Sequence, residues 1–159
     1  MALKTNFNFS NLDKLEKAFK GGIRQGLQTS SIQLAGNKND TTSGLIKQEM
    51  NKPKSGVVYP VIRKGRRVFR NHQASNRAGN ESSAILAGDL ARSVKGQIKG
   101  SNQLEISANT PYAAIQEYGG RNGNGAYIAP RKNLKRPIEQ STGEIRNNID
   151  NSIKSLLNI

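Results

Sequence analysis

At 159 residues, with 34% hydrophobic and 5% aromatic residues, the chain suits one domain, and a lone copy of it would be thinly packed. It has no cysteine, which excludes disulfides, thiolate nucleophiles and cysteine-type zinc sites. The net charge of +14 is confined to two acid-free windows. Between Glu49 and Glu81 lie Lys52, Lys54, Arg63, Lys64, Arg66, Arg67, Arg70 and Arg77; between Glu117 and Glu139 lie Arg121, Arg131, Lys132, Lys135 and Arg136. Those 13 bases leave 12 elsewhere, nearly cancelled by the 11 acids. Such confinement points to a polyanion facing part of the surface, or else to a solvated basic face. MALKTNFNF lacks the apolar stretch of a secretory leader and no run reaches membrane-spanning length, so a soluble chain made in a cytoplasm is expected.

Ser10 and Asp13 suit the start of a helix. Leu12, Leu15, Phe19, Ile23, Leu27 and Leu34 then read as its apolar stripe, with Lys14, Lys17, Lys20, Arg24 and Gln28 opposite. Gly21, Gly22 and Gly26 are expected to weaken this helix, and GNKND at 36–40 to bend or break it. TTSGLIKQEM is expected to continue in the same direction to about Met50. The pattern then switches to strand: VVYPVI and RVFR flank a turn at Lys64-Gly65, giving a β-hairpin whose Pro60 requires an edge position. With so many bases, that hairpin reads as an extended arm.

Residues 71–86 read as a polar loop, followed by a short turn around Asp89–Arg92. SVKGQIKG and NQLEISAN, separated by Gly100-Ser101, form a second hairpin. In NTPYAAIQEYGG, Thr110 is expected to cap, Pro111 to take the first helical position and Gly119 the left-handed stop, with Tyr112 and Tyr118 packing the helix down. RNGNGAY reads as a loop, and a final helix starts near Pro137 with Ile138, Ile145, Ile149, Ile153 and Leu156 as its stripe. The expected fold is α+β in a single domain, 1–159: an N-terminal helical segment (1–50), a basic hairpin arm (55–71), and a small antiparallel sheet with a short central helix and a C-terminal helix (87–159).

Chemistry is sparse. His72 is the only histidine and has no neighbouring acid in sequence. The carboxylates are scattered without metal-ligand spacing, and no phosphate-binding glycine loop with its lysine occurs. No catalytic, metal-binding or cofactor-binding residue is expected. Glu117 is expected to make a salt bridge or a cap. Tyr59 and Phe69 alone interleave the basic hairpin, too few for a base-stacking platform, and no helix-turn-helix pattern is present.

The order SGVVYPV, HQAS then AGNES, AGDLARSV, NTPYAAIQEYGG, and RPI leading into a last helix resembles the neck and minor tail (tail-completion) proteins of long-tailed double-stranded DNA bacteriophages. The resemblance spans roughly residues 45–157. It rests on a Gly-x-Leu-x-x-Ser element (Gly88, Leu90, Ser93), a Tyr-Ala…Glu-Tyr-Gly helix (Tyr112, Glu117, Tyr118, Gly119) and an Arg-Pro opening of the last helix (Arg136, Pro137). APRKNLKRPI departs from a more apolar run in many relatives. The resemblance implies a non-enzymatic virion protein assembled in the host cytoplasm. It would form a homo-oligomeric ring, a hexamer, joining the connector or stopper to tail-terminator or tail-tube proteins. The candidate DNA- or partner-facing bases are then Arg63, Lys64, Arg66, Arg67, Arg70, Arg131, Lys132 and Lys135. A stand-alone, non-specific nucleic-acid-binding protein is the alternative.

Overall fold

The computed structural model describes residues 10–37, 41–63, 66–74 and 89–157. The fold mixes helix and strand, and its axis is helix α1, Ser10–Ala35. It ends at Gly36, whose φ of +68° closes the last turn through an N–H bond to the Ile32 carbonyl. The chain then folds back on itself instead of extending the helix. A Cβ on Gly36 would lie 2.0 Å from the Ser43 carbonyl oxygen, so only glycine permits this crossing. Helix α2, Leu45–Asn51, follows. Its Lys47 is fully buried and donates from Nζ to the Asn37 carbonyl at 2.6 Å, tying α2 to the loop that precedes it.

Strands β1 (Val58–Arg63) and β2 (Arg66–Gln73) pair antiparallel, Arg63 opposite Arg66, with a register shift at Pro60/Val61. A two-stranded ladder has only edges, which suits Pro60. The expected turn at Lys64-Gly65 lies outside the described residues. Asn71, His72 and Gln73, expected in a polar loop, continue β2; residues 75–88 of that stretch lie outside the described residues. Asp89–Arg92 belongs to a short helix, α3 (Asp89–Ser93), rather than to a turn. Strands β3 (Val94–Lys99) and β4 (Gln103–Ala108) form the second hairpin about Gly100, as the sequence predicts. Helix α4 spans Ala113–Tyr118. The stretch expected to be a loop is a miniature hairpin: β5 (Gly120–Arg121) pairs with β6 (Tyr127–Ile128), and Asn122 Oδ1 accepts the Asn124 and Ala126 N–H groups across its turn. The final helix is two helices, α5 (Lys135–Gln140) and α6 (Thr142–Leu157), broken at Ser141.

Two faces of α1 organise the rest. Along one runs α6, antiparallel, and the contact is closer than ordinary side chains allow. A Cβ on Gly22 would come within 2.7 Å of Ile153 Cα, and one on Gly26 within 2.4 Å of Ile149 Cα. The glycines expected to weaken α1 therefore allow the two backbones to approach. One turn further on, buried Ser30 accepts from Asn148 Nδ2 at 3.1 Å; the same amide donates to Gln33 Oε1 at 3.0 Å, and Gln33 donates to Glu144. Polar bonds of this kind fix the register of a seam that apolar contacts alone would leave free to slide.

Along the other face lies β3. Gly96 permits it, since a Cβ there would sit 2.2 Å from Ser31 Oγ. Leu34, Ala35, Ile46, Met50, Ala91 and Val94 make the buried cluster, with Leu104, Ile106 and Ala108 of β4 packed against it. The core thus gathers at the C-terminal end of α1. Its N-terminal end does not join: Leu12, Leu15 and Phe19, the first residues of the stripe read from the sequence, are exposed.

On the outer face of the second hairpin, Glu105 stands opposite Gln97 and pairs with Lys99. Hydrogen bonds from Lys99 and then Gln97 hold its carboxyl below the ordinary Glu value. A depressed carboxyl stabilises the fold above its unfolded-state value, and that contribution is lost as pH falls through the lowered one. Lys99→Gln is expected to move the Glu105 titration back up, read by carboxyl-carbon NMR.

The seam makes an opposite-sign prediction for two glycines. Gly26→Ala is expected to destabilise by about 1–3 kcal/mol through overpacking, despite alanine's helix-propensity advantage of about 1 kcal/mol. Gly143→Ala in α6, where nothing lies within 4 Å of the added Cβ, is expected to be neutral or stabilising. Urea unfolding followed by circular dichroism separates the two.

Candidate functional site

The stretch 109–120 and the second basic window meet in one place. Helix α4 has too few residues to be stable alone, and its last carbonyls have no partner inside it. Segment 131–135 supplies what is missing. Arg131 N–H donates to the Gln116 carbonyl at 2.9 Å, and Lys132 N–H to that of Glu117 at 3.4 Å. The Glu117 side chain completes the brace: Oε2 accepts from Leu134 N–H and Oε1 from Lys135 N–H, both at 2.9 Å. Those amides open α5, so the carboxylate caps a helix from a distance in sequence and meets the positive end of its dipole. Glu117 is 8% exposed, and its expected role as a cap is what the structure contains.

The tyrosines behave otherwise. Tyr118 is 78% exposed and Tyr112 42%, so neither is the packing group the sequence predicts. The inward side of α4 is built from Ala113, Ile115 and Glu117. Thr110 provides a backbone carbonyl to Ala113 N–H rather than a side-chain cap, and Pro111 precedes the helix, which starts at Ala113. Gly119 has the expected positive φ of 76°, but its ψ of 179° makes it an extended, glycine-only conformation instead of the left-handed helical stop, and a Cβ there would strike Pro130 Cδ at 2.8 Å. This glycine lets the returning chain cross the end of α4.

The remaining predicted residues divide as follows. Leu90 packs on the core, Ser93 Oγ donates to the Leu90 carbonyl at 2.8 Å, and Gly88 lies outside the described residues. Pro137 is buried in the first turn of α5, while Arg131 and Arg136 are half-buried. Lys132 is exposed, with a backbone φ of +50°, and Lys135 is exposed and sits 3.8 Å from Glu139. Arg63, Arg66, Arg67 and Arg70 lie on β1 and β2, strands that contact each other far more than any other element; Lys64 lies outside the described residues. Among the described residues no group of three histidines or carboxylates is placed to hold a metal ion.

Beneath α4 is a cleft of about 210 Å³, walled mainly by Met50, Leu90, Ala108, Ala113, Ala114 and Leu134, with Glu117 and Asn133 as its polar lining and Tyr118 beside them. Sequence reading missed it, because no local pattern announces a gap between α3, β4 and α4. It missed the glycine seam too, although Gly22, Gly26 and Ser30 recur every four residues and would have signalled it. Searches against known protein families, known proteins and solved structures find no match to this chain.

The brace predicts that Glu117→Gln, which puts an amide donor against one of two backbone donors, lowers stability by about 1–3 kcal/mol. Tyr118→Ala should leave it within about 0.5 kcal/mol, as for other surface changes. Thermal unfolding of the two variants beside the parent checks both values.

Proposed function

We propose that this chain is a non-enzymatic virion structural protein that forms a ring at the head–tail junction of a long-tailed bacteriophage, in a neck or tail-completion role. The observation that carries the reading is the use made of its best motif. NTPYAAIQEYGG braces the following segment through its backbone and Glu117, an architectural job that supports a subunit built for assembly. The motif order in the sequence supports the phage assignment. Exposed Leu12, Leu15 and Phe19 on a thin-cored chain support association with neighbours. In a ring, the charge of +14 is multiplied by the number of subunits, and basic segments turned inward would line a channel for DNA.

A second reading, stand-alone non-specific nucleic-acid binding, is favoured by one specific feature. The register puts Arg63 and Arg66 at paired positions of a hairpin that also carries Arg67 and Arg70, which concentrates positive charge on one short segment.

Two measurements separate the readings. Sedimentation velocity and native mass spectrometry are expected to give a closed oligomer when tail partners are present; a strict monomer there would sink the ring. Changing Arg63, Lys64, Arg66, Arg67 and Arg70 together to Gln is expected to reduce the salt dependence of DNA binding by about 0.9 per contacting charge. An unchanged slope would remove the hairpin from DNA contact.

A further inference from the structure

Helix α1 is longer than its partner. The end of α6 reaches Gly21, where Leu156 Cδ1 would lie 3.3 Å from an added Cβ. Among the described residues α6 ends at Leu157, which the Gly22–Ile153 and Gly26–Ile149 approaches set opposite Ala18, so residues 10–17 project beyond it by about 12 Å at 1.5 Å per residue, with Phe19 at the base of the projection. The projecting end is not an unrelated surface. Positions 12, 15, 19, 22, 26, 30 and 33 follow one another at helical spacing, so exposed Leu12, Leu15 and Phe19 continue the face that α6 covers through Gly22, Gly26 and Ser30. Among the described residues the apolar seam runs out of partner.

At the other end of α1 lies the cleft. Met50 in its wall belongs to the same buried cluster as Leu34. Its volume of about 210 Å³ exceeds the roughly 150 Å³ cavity that accommodates a benzene ring, so it has room for one aromatic side chain. The single carboxylate in its lining, Glu117, already accepts two backbone hydrogen bonds and asks for no charged guest. Phe19 and Leu34 are 15 residues apart on one rigid helix, about 22 Å, so the projecting end cannot reach its own cleft.

We propose that Phe19, flanked by Leu12 and Leu15, seats in the cleft beneath α4 of a second copy of this chain. Among the described residues the chain carries an apolar projection and a mainly apolar recess, set at opposite ends of its longest helix. A contact of that kind is head-to-tail, and it propagates until rotation closes it into a ring. Exposed Tyr118 at the cleft edge lies where it would pack on the incoming aromatic group. The proposal rests on the ring reading and names the surfaces that make the ring.

The absence of native cysteine gives a direct test. Phe19→Cys combined with Ala114→Cys is expected, under mild oxidation of the full-length chain, to yield a disulfide ladder of trimers and higher species. Either single variant alone should give little cross-linking. Rapid dimers from Phe19→Cys alone would mean that two α1 ends pair with each other, and would overturn the proposal. So would a double variant that does not cross-link while native mass spectrometry still reports rings; the ring reading would then stand with its interface elsewhere. If the parent chain forms no oligomer in any condition, with tail partners included, both fail. Phe19→Glu, at an exposed position that leaves the circular dichroism unchanged, is expected to weaken self-association at least tenfold; unaltered association would also count against the contact.

Discussion

The close approach of α1 and α6 is the constraint on which the other elements depend. Two glycines remove the side chains that would hold the helix backbones apart, and Ser30 with Asn148 then fixes how far one helix can slide along the other. Once α6 is set, one flank of α1 is closed and the other is left for β3, which needs a glycine of its own to lie against Ser31. A chain poor in large apolar side chains gains little from filling volume. It gains instead from bringing backbones close enough for dispersion contacts along their length. This is why few fully buried hydrophobic residues suffice at the C-terminal end of α1, and why the N-terminal end, which has no facing helix, stays outside the core.

A second device works at the other side of the molecule. Helix α4 is too short to satisfy its own carbonyls, and the segment after β6 has amides to give. Each repairs the other, and Glu117 extends the repair to the first amides of α5. The result is a rigid link between the 109–120 motif and the helix that leads into α6, so the brace and the glycine seam are connected through a single turn at Ser141. Loss of Glu117 would therefore be felt as a change in where α5 starts as well as in overall stability.

Much of the fold was legible in local pattern. Val94–Lys99 and Gln103–Ala108 alternate about a glycine turn, and both terminal helices carry their periodic residues. What escaped was decided by partners distant in sequence. A glycine inside a helix reads as a weakness until another helix is known to lie on it, so Gly22 and Gly26 gave the wrong sign. Tyr112 and Tyr118 were expected inside because they are the largest apolar groups of their stretch, yet the inner positions of α4 belong to Ala113, Ile115 and Glu117. Lys47 was invisible for the same reason. A lysine next to Ile46 reads as surface unless the returning loop is known to offer it a carbonyl. Of the site, Glu117 as a cap followed from its place on a short helix, whereas the amides it caps are 17 and 18 residues away.

The manner of the anchoring also bears on what the second basic segment can do. Four bonds that hold residues 131–135 to α4 use a backbone N–H on the basic side and a carbonyl or the Glu117 carboxylate on the other. The ammonium groups of Lys132 and Lys135 take no part in it and remain exposed. Position and charge are thus separated in this segment: the backbone determines where it sits, and the lysine side chains determine what it attracts. Neutralising Lys132 leaves all four bonds in place, so a loss of polyanion or partner binding in that variant reports electrostatics and not a misplaced loop. The same separation accounts for an acid-free window beside a buried glutamate, because Glu117 is held by amides and needs no lysine to neutralise it.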